Sequence, residues 1–241
     1  MSLGLFWSLT KNESETHSGT GFTLCPMLGG TVTYKLDMSM MFAMHDALRR
    51  DLERVGRIAG RLDDDPAKRL RAAAGWELFK RFLVNHHESE DEALWPALRA
   101  AVAAHPDQAA LVDALEAEHA VIDPLLAAID AAAADPDGGR ERFGGLVDEL
   151  IIELSAHLTH EEKDGLPLID VAVTEEQWQH FNSANAERNR PDAAMFMPWL
   201  FDGADQQRLD ALLGKFPPQM LTVFREQWAP AYAARDLWKG L

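Results

Sequence analysis

Long runs of apolar residues at helical spacing, separated by short turns, limit the folds open to this chain. The first run covers about 38–61, and one stripe of it carries Met41, Met44, Leu48, Leu52 and Val55. Three more helical runs, each begun after a proline or a Pro-Gly turn, cover about 66–104, 106–134 and 140–164. Four long helices with short connections predict an all-α fold, an antiparallel four-helix bundle.

Prolines predict where these helices bend or end. Pro96 lies inside the second helix and Pro124 inside the third, and each is expected to bend its helix because a proline removes a backbone hydrogen bond and crowds the preceding turn. The sequence Gly165-Leu166-Pro167 is expected to end the fourth helix.

The chain divides into three parts by composition. Residues 1–37 are rich in Gly, Ser and Thr without helical periodicity, which predicts an irregular leader. Residues 38–170 form the predicted bundle. Residues 171–241 carry several prolines and tryptophans and predict a C-terminal helical extension, with about two further helices that pack on the bundle. A separate small domain is the alternative for this last part.

The charge balance argues against two classes of partner. With 23 Lys and Arg against 39 Asp and Glu, the formal net charge is -16, which repels phosphate backbones and anionic lipid surfaces. We therefore expect neither a nucleic acid nor a membrane as partner.

The single cysteine excludes an internal disulfide and a thiolate metal cluster. With no apolar run of the ~20 residues that span a bilayer and no signal-peptide pattern, we expect a cytoplasmic protein.

Two helical segments repeat a histidine and a glutamate four residues apart. His86 precedes Glu90, and His157 precedes Glu161, with a proline ten residues after each histidine. Residues at i and i+4 lie on one helix face, one turn apart. Each pair can therefore point at a common metal ion.

Two other histidines lie on the apolar stripes of the remaining helices. His45 is followed by leucines at +3 and +7, and His119 by Ile122 and Leu126 at the same spacing. A core-facing imidazole needs a partner. The chain thus consists of two similar helical hairpins, each with one histidine on its first helix and a His–Glu pair on its second. Together the hairpins direct four histidines and two glutamates toward the bundle centre. This mixture of nitrogen and oxygen ligands suits iron, with manganese and zinc as alternatives.

Each of these features has a simpler interpretation when taken alone. A lone core histidine is usually structural, and a lone His–Glu pair is usually a surface hydrogen bond; their repetition on four helices favours a metal. His87 is either a further ligand or an outer partner, because it lies 100° around the helix from His86. His160 is expected to be an outer partner or exposed. Asp91 and Glu162 are expected on a solvated face or as groups that orient ligands.

These motifs, with Leu94-Trp95-Pro96, resemble the hemerythrin-like family over about 38–170. The resemblance implies two non-haem iron ions in a four-helix bundle. It assigns six ligands, with His87 as a further candidate: His45, His86 and Glu90, His119, His157 and Glu161. Ferritin-like proteins differ, since they use Glu-x-x-His.

One departure from the oxygen-carrying members bears on activity. Asp123 stands where they have a second histidine on the third helix, and only four histidines occupy matching positions. This difference predicts reaction with an oxidant in place of reversible oxygen carriage. We therefore expect a di-iron protein that binds or reacts with oxygen, peroxide or nitric oxide. The alternative is an iron or oxygen sensor, or an iron-binding module, that signals through a protein partner; a purely structural bundle is the third possibility.

Overall fold

A computed structural model describes residues 33–61, 65–137 and 139–238. Most of the predicted leader, 1–37, lies outside the described residues. Within the described ranges the chain is helical and contains no strand, which confirms the predicted all-α class. None of the described helices has the length and apolarity needed to cross a bilayer.

Four long helices form the bundle: α1 (Ser39–Ala59), α3 (Ala74–Ser89), α5 (Pro106–Ala134) and α6 (Gly139–His160). They contact one another in a closed ring, α1 with α3, α3 with α5, α5 with α6, and α6 with α1. Shorter helices precede or continue them: α2 (Pro66–Ala72), α4 (Trp95–Ala101) and α7 (Leu166–Ala172). The short α5–α6 connection makes those neighbours antiparallel.

The C-terminal part contains more helices than the two expected. They are α8 (Glu175–Asn189), a 3-10 turn (Arg190–Asp192), α9 (Ala193–Phe201), α10 (Gln206–Leu213), α11 (Pro218–Val223) and α12 (Ala229–Ala233). Thr174 begins α8 with a capping box, in which its hydroxyl and the Gln177 side chain satisfy each other's backbone N–H groups.

Two predicted helix boundaries were wrong. The segment over 66–104 is not one helix, because Ala73 adopts an extended conformation (φ -87°, ψ 109°) between α2 and α3. The fourth helix does not end near Gly165; it continues through one wide turn into α7. Pro124, in contrast, lies within an uninterrupted α5.

Single turns of π-helix lie at Glu90–Leu94, Glu161–Gly165 and Phe224–Trp228. Each is followed by one residue and then a proline: Pro96, Pro167 and Pro230. Because a proline ring collides with the carbonyl four residues before it, an extra residue in the preceding turn relieves the crowding. The N–H groups of Trp95 and Leu166 accordingly donate to the carbonyls of Glu90 and Glu161, five residues back. The prolines thus fix the backbone next to both predicted ligand glutamates.

One hydrophobic cluster joins the bundle to the C-terminal helices. Phe82 of α3 contacts Phe196 and Trp199 of α9, with ring centroids 5.0 and 4.8 Å apart. At the start of α3, Gly75 donates to the Leu237 carbonyl at 2.8 Å. A Cβ at this glycine would lie 2.3 Å from the Trp238 ring, so only glycine permits this close approach. The C-terminal helices therefore follow α3 along its length.

Candidate metal centre

The bundle brings all seven predicted ligand side chains into its interior. Each is at most 3% exposed. α1 supplies one histidine, α3 two, and α5 and α6 one each, while the glutamates follow α3 and α6 at the first residue of each π turn. In order along the chain they are His45, His86, His87, Glu90, His119, His157 and Glu161.

These side chains form two adjoining groups. The mixed group consists of His45, His86, Glu90 and Glu161, and the imidazole group of His87, His119 and His157. Within each group the potential ligand atoms lie within 4.8 Å of one another. This spacing suits one metal ion in each group.

The two glutamates lie between the groups. Glu90 places Oε1 3.3 Å from His86 Nε2 and Oε2 3.6 Å from His119 Nε2. Glu161 Oε2 is 3.2 Å from His45 Nε2 and 3.9 Å from His157 Nε2. Each carboxylate therefore touches one imidazole of either group, an arrangement that can bridge two cations.

Four of the five histidines have a carboxylate on the other ring nitrogen, Nδ1, at 2.8–2.9 Å. The pairs are His45 with Glu162, His87 with Asp123, His119 with Asp91, and His157 with Glu118. A carboxylate accepts a hydrogen bond from the protonated Nδ1, which leaves the lone pair of Nε2 for a metal. For the fifth histidine, His86, no hydrogen-bond partner is seen at Nδ1 among the described residues.

The electrostatics of the mixed group are those of a buried ion pair. Burial by itself would lower the pKa of His45, but the Glu161 carboxylate, with Glu162, raises it to about 9. Burial would raise the pKa of Glu161, yet the surrounding imidazoles, His45 first, lower it to about 2. Burial and the nearby Glu161 charge raise the pKa of Glu90 well above its usual range. The two carboxyls are thus shifted in opposite directions, Glu161 toward the ionised form and Glu90 toward the protonated form.

In the imidazole group, in contrast, two of the rings, His87 and His157, have a lowered pKa. Burial, and then the neighbouring His119, lowers the pKa of His87 well below its usual value. Burial also lowers the pKa of His157, more than its bond to Glu118 raises it. The rings of His87 and His119 stack at 3.9 Å between centroids and 5° between planes. A lowered pKa favours the neutral ring, so His87 and His157 can bind a metal without first losing a proton.

Several buried polar atoms of the centre have no hydrogen-bond partner among the described residues. They include Nε2 of His87, His119 and His157, both carboxylate oxygens of Glu90, and Oε1 of Glu161. Burying so many unsatisfied polar atoms is costly, and native proteins rarely do it. A metal ion in each group would satisfy these atoms, so the residues fit a dinuclear metal site.

His87 and Asp123 take different places at the centre. His87 lies within the imidazole group, because two groups side by side let neighbouring residues, 100° apart on one helix, each reach a different group. Asp123 contacts His87 Nδ1 and does not occupy the place of a ligand imidazole. The sequence analysis expected four core histidines and a possible fifth; five are gathered here.

The outer partners were predicted only in part. Asp91 and Glu162 contact ligand histidines, as the second of their two interpretations predicted. Glu118 was missed: its Oε2 contacts His157 and its Oε1 contacts His160 at 2.7 Å. Its position beside His119 in the sequence is the only signal that could have drawn attention to it. His160 is partly exposed and reaches the centre only through this carboxylate.

The fold and the ligand set define a metal-binding four-helix bundle with two joined groups of buried ligands. The model of the hemerythrin HHE cation-binding domain matches residues 37–169, more than half of the chain. The chain belongs to this hemerythrin family. No curated protein and no solved structure matches it at a significant level.

Proposed function

We propose that this protein binds two non-haem iron ions and that the resulting centre binds or reacts with a small oxidant: oxygen, peroxide or nitric oxide. The observation that carries the proposal is the pair of buried ligand groups joined by Glu90 and Glu161. Five imidazoles with two carboxylates are a nitrogen–oxygen set that suits iron, whereas zinc sites of structural type are closed by four ligands. When bound, iron supplies the redox chemistry.

The chain itself makes the two ions unequal. The imidazole group offers three nitrogens and the mixed group two, while both share the same two glutamates. An ion in the mixed group therefore has fewer protein ligands and more room for a small exogenous molecule. The Nδ1–carboxylate pairs hold the imidazoles in place, and full burial excludes bulk water from the centre.

The position of His87 removes the reason for expecting oxidation over reversible binding. That expectation assumed Asp123 in place of an imidazole, whereas we propose His87, which lies in the imidazole group, as the fifth imidazole ligand. Five histidines are compatible with both reversible binding and irreversible reaction.

The test begins with metal analysis of protein expressed with added iron, where we expect two iron ions per chain. The protein is then reduced anaerobically, exposed to oxygen and purged, and its absorption spectrum is followed through several cycles. A charge-transfer band that appears and disappears reversibly indicates carriage, and a lasting ferric spectrum with turnover of peroxide or nitric oxide indicates reaction. A chain that binds no iron, or one ion only, contradicts the proposal.

A sensor or iron-binding module is the second candidate. One observation favours it: the C-terminal helices, which lie outside the family match, contact α3, which carries two of the predicted ligands and leads into the π turn that carries a third. A sensor is expected to change the exposure of these helices when iron binds or changes oxidation state. Hydrogen exchange of α8 in the ferrous and ferric protein would detect such a change.

A further inference from the structure

Helix α8 of the C-terminal extension lies against the metal-bearing end of α3. It contacts residues that lie before, between and after the predicted ligands His86, His87 and Glu90 in the sequence. The contacted residues are Asn85, Glu88, Ser89 and Glu92. The family match ends at residue 169, so α8 is not part of the matched domain. A segment outside that domain therefore touches α3 and the π turn that follows it, which together provide three of the seven predicted ligands.

Arg188 makes the central contact. Its Nη1 donates to Glu88 Oε2 at 3.0 Å, its Nη2 to Glu92 Oε2, and its Nε to Ser89 Oγ at 3.3 Å. Ser89 is fully buried and donates in turn to the Asn85 carbonyl at 2.6 Å. One guanidinium thus spans both sides of residue 90, where α3 passes into its π turn.

A pair of side-chain amides adds a second contact one residue further along α8. The Asn85 side chain donates to Asn189 Oδ1 at 2.9 Å. Asn189 is 2% exposed and donates its own amide to the Asn185 carbonyl at 2.9 Å. Because the side chain of Asn189 bonds both to Asn85 and to its own helix, it joins α8 to α3 just before His86.

The local charges explain why α3 needs this contact. Glu88 and Glu92 are four residues apart, and like charges at that spacing destabilise a helix. They also flank the change from α-helical to π-helical turns, which sets the direction of the Glu90 side chain. A fork-shaped guanidinium that binds both carboxylates removes their repulsion and holds the two turns in one arrangement.

We propose that Arg188 is a positioning residue for the metal centre, through which the C-terminal extension and metal binding are energetically coupled. The inference rests on the proposed metal binding. Arg188 touches no ligand atom; it holds Glu88, Ser89 and Glu92 so that His86, His87 and Glu90 keep their mutual geometry. Since coupling is reciprocal, bound metal also strengthens the docking of α8 on α3.

The first experiment measures the affinity for ferrous iron by anaerobic competition with a chelator. Arg188→Ala should weaken apparent affinity about tenfold, in the range seen for residues that support metal ligands. Arg188→Lys should recover part of it, since lysine keeps the charge but not the fork. If Arg188→Ala does not fold, Glu92→Gln serves in its place. It changes an exposed side chain, weakens one of the contacts of Arg188, and should also lower the affinity for iron.

Asp192→Ala is the matched control. It removes another ion pair between the C-terminal extension and α3, in which Arg81 Nη1 lies 2.8 Å from Asp192 Oδ2. Arg81 lies in α3 more than one turn before the first ligand of that helix, His86. We expect its iron affinity within about twofold of wild type, the size of an exposed ion pair's effect. Equal loss in Asp192→Ala and Arg188→Ala would show a general effect of docking and overturn the positioning role.

The second experiment measures the reciprocal effect by hydrogen exchange. In wild type, ferrous iron should slow exchange of the α8 amides, and Arg188→Ala should abolish most of this slowing. Wild-type protein that binds iron without any change in α8, together with unchanged affinity in Arg188→Ala, refutes the coupling while leaving the metal centre intact. Wild-type protein that binds no iron refutes the proposed function itself.

Discussion

The two ligand groups of the centre differ in how they carry charge. The mixed group contains an ion pair, His45 with Glu161, and a glutamate, Glu90, whose pKa is raised well above its usual range by burial and by the Glu161 charge. In the imidazole group, burial lowers the pKa of His87 and of His157, and a carboxylate lies at Nδ1 of each of the three rings. Metal binding must therefore displace protons from the mixed group, whereas the imidazole group has its lone pairs available. Neighbouring sites on one bundle thus face different competition from protons.

The largest effect is expected from the residues that join the groups. Glu90→Ala or Glu161→Ala should lose most of both iron ions, because each carboxylate contacts one imidazole of either group. The helices should stay folded, since alanine has the higher helix propensity. Iron analysis with circular dichroism measures both, and the exposed His180→Ala serves as control. Wild-type iron content in both variants would exclude a bridging role.

A smaller, one-sided effect is expected from His87→Ala. This substitution removes one of three imidazoles from the imidazole group and none from the mixed group. We expect iron content to fall toward one ion per chain, with a spectrum that no longer shows two interacting ions. Loss of both ions would show that the groups do not fill independently, and no loss would place His87 outside the ligand set.

The ion pair of the mixed group predicts a pH dependence of stability for metal-free protein. The pKa of His45 is about 9 in the folded protein, above the unfolded value near 6.5. Its contribution to the free energy of unfolding is therefore fully present below pH ~6.5 and is lost as pH rises through about 9. Glu161, with its pKa lowered to about 2, contributes above pH ~4.5 and loses this as pH falls through about 2.

The test is urea unfolding of metal-free protein at pH 7 and pH 9.5. Wild type should lose on the order of 2 kcal/mol across this interval. The variant His45→Gln keeps a polar side chain but cannot titrate, so its stability should change much less. Parallel losses in the two proteins would mean that His45 is not protonated at neutral pH.

The smallest effect should come from the carboxylates behind the imidazoles. Asp123→Asn keeps the shape of the partner of His87 but removes its charge, and we expect about tenfold weaker iron binding. Asp113→Asn lies on the same helix, pairs with Arg99 and does not contact the centre, so its affinity should be unchanged. Chelator competition compares the two. Equal affinities would mean that the Asp123 charge does not support the imidazole group.

Much of the fold could be predicted from the sequence because the information is local. Apolar spacing marked the four bundle helices, and prolines marked where their turns change. The prediction from Pro167 was wrong, because a proline in the sequence does not show whether the helix ends or adapts. The chain widens one turn there and continues as a helix, since Leu166 and Ile169 pack in the interior and stabilise it. The break at Ala73 carried no comparable signal.

The sequence by itself determined which helix faces carry histidine and glutamate, since residues four apart share a face whatever surrounds them. Only the tertiary structure decided what those faces meet. It brought His87 into the centre, since a second ligand group lies on its side of α3. It also placed Glu118 and Asp123 of α5 behind histidines of α6 and α3, and Arg188 on α3. These contacts join residues far apart in the chain, and their partners are set by helix packing, which no local spacing encodes.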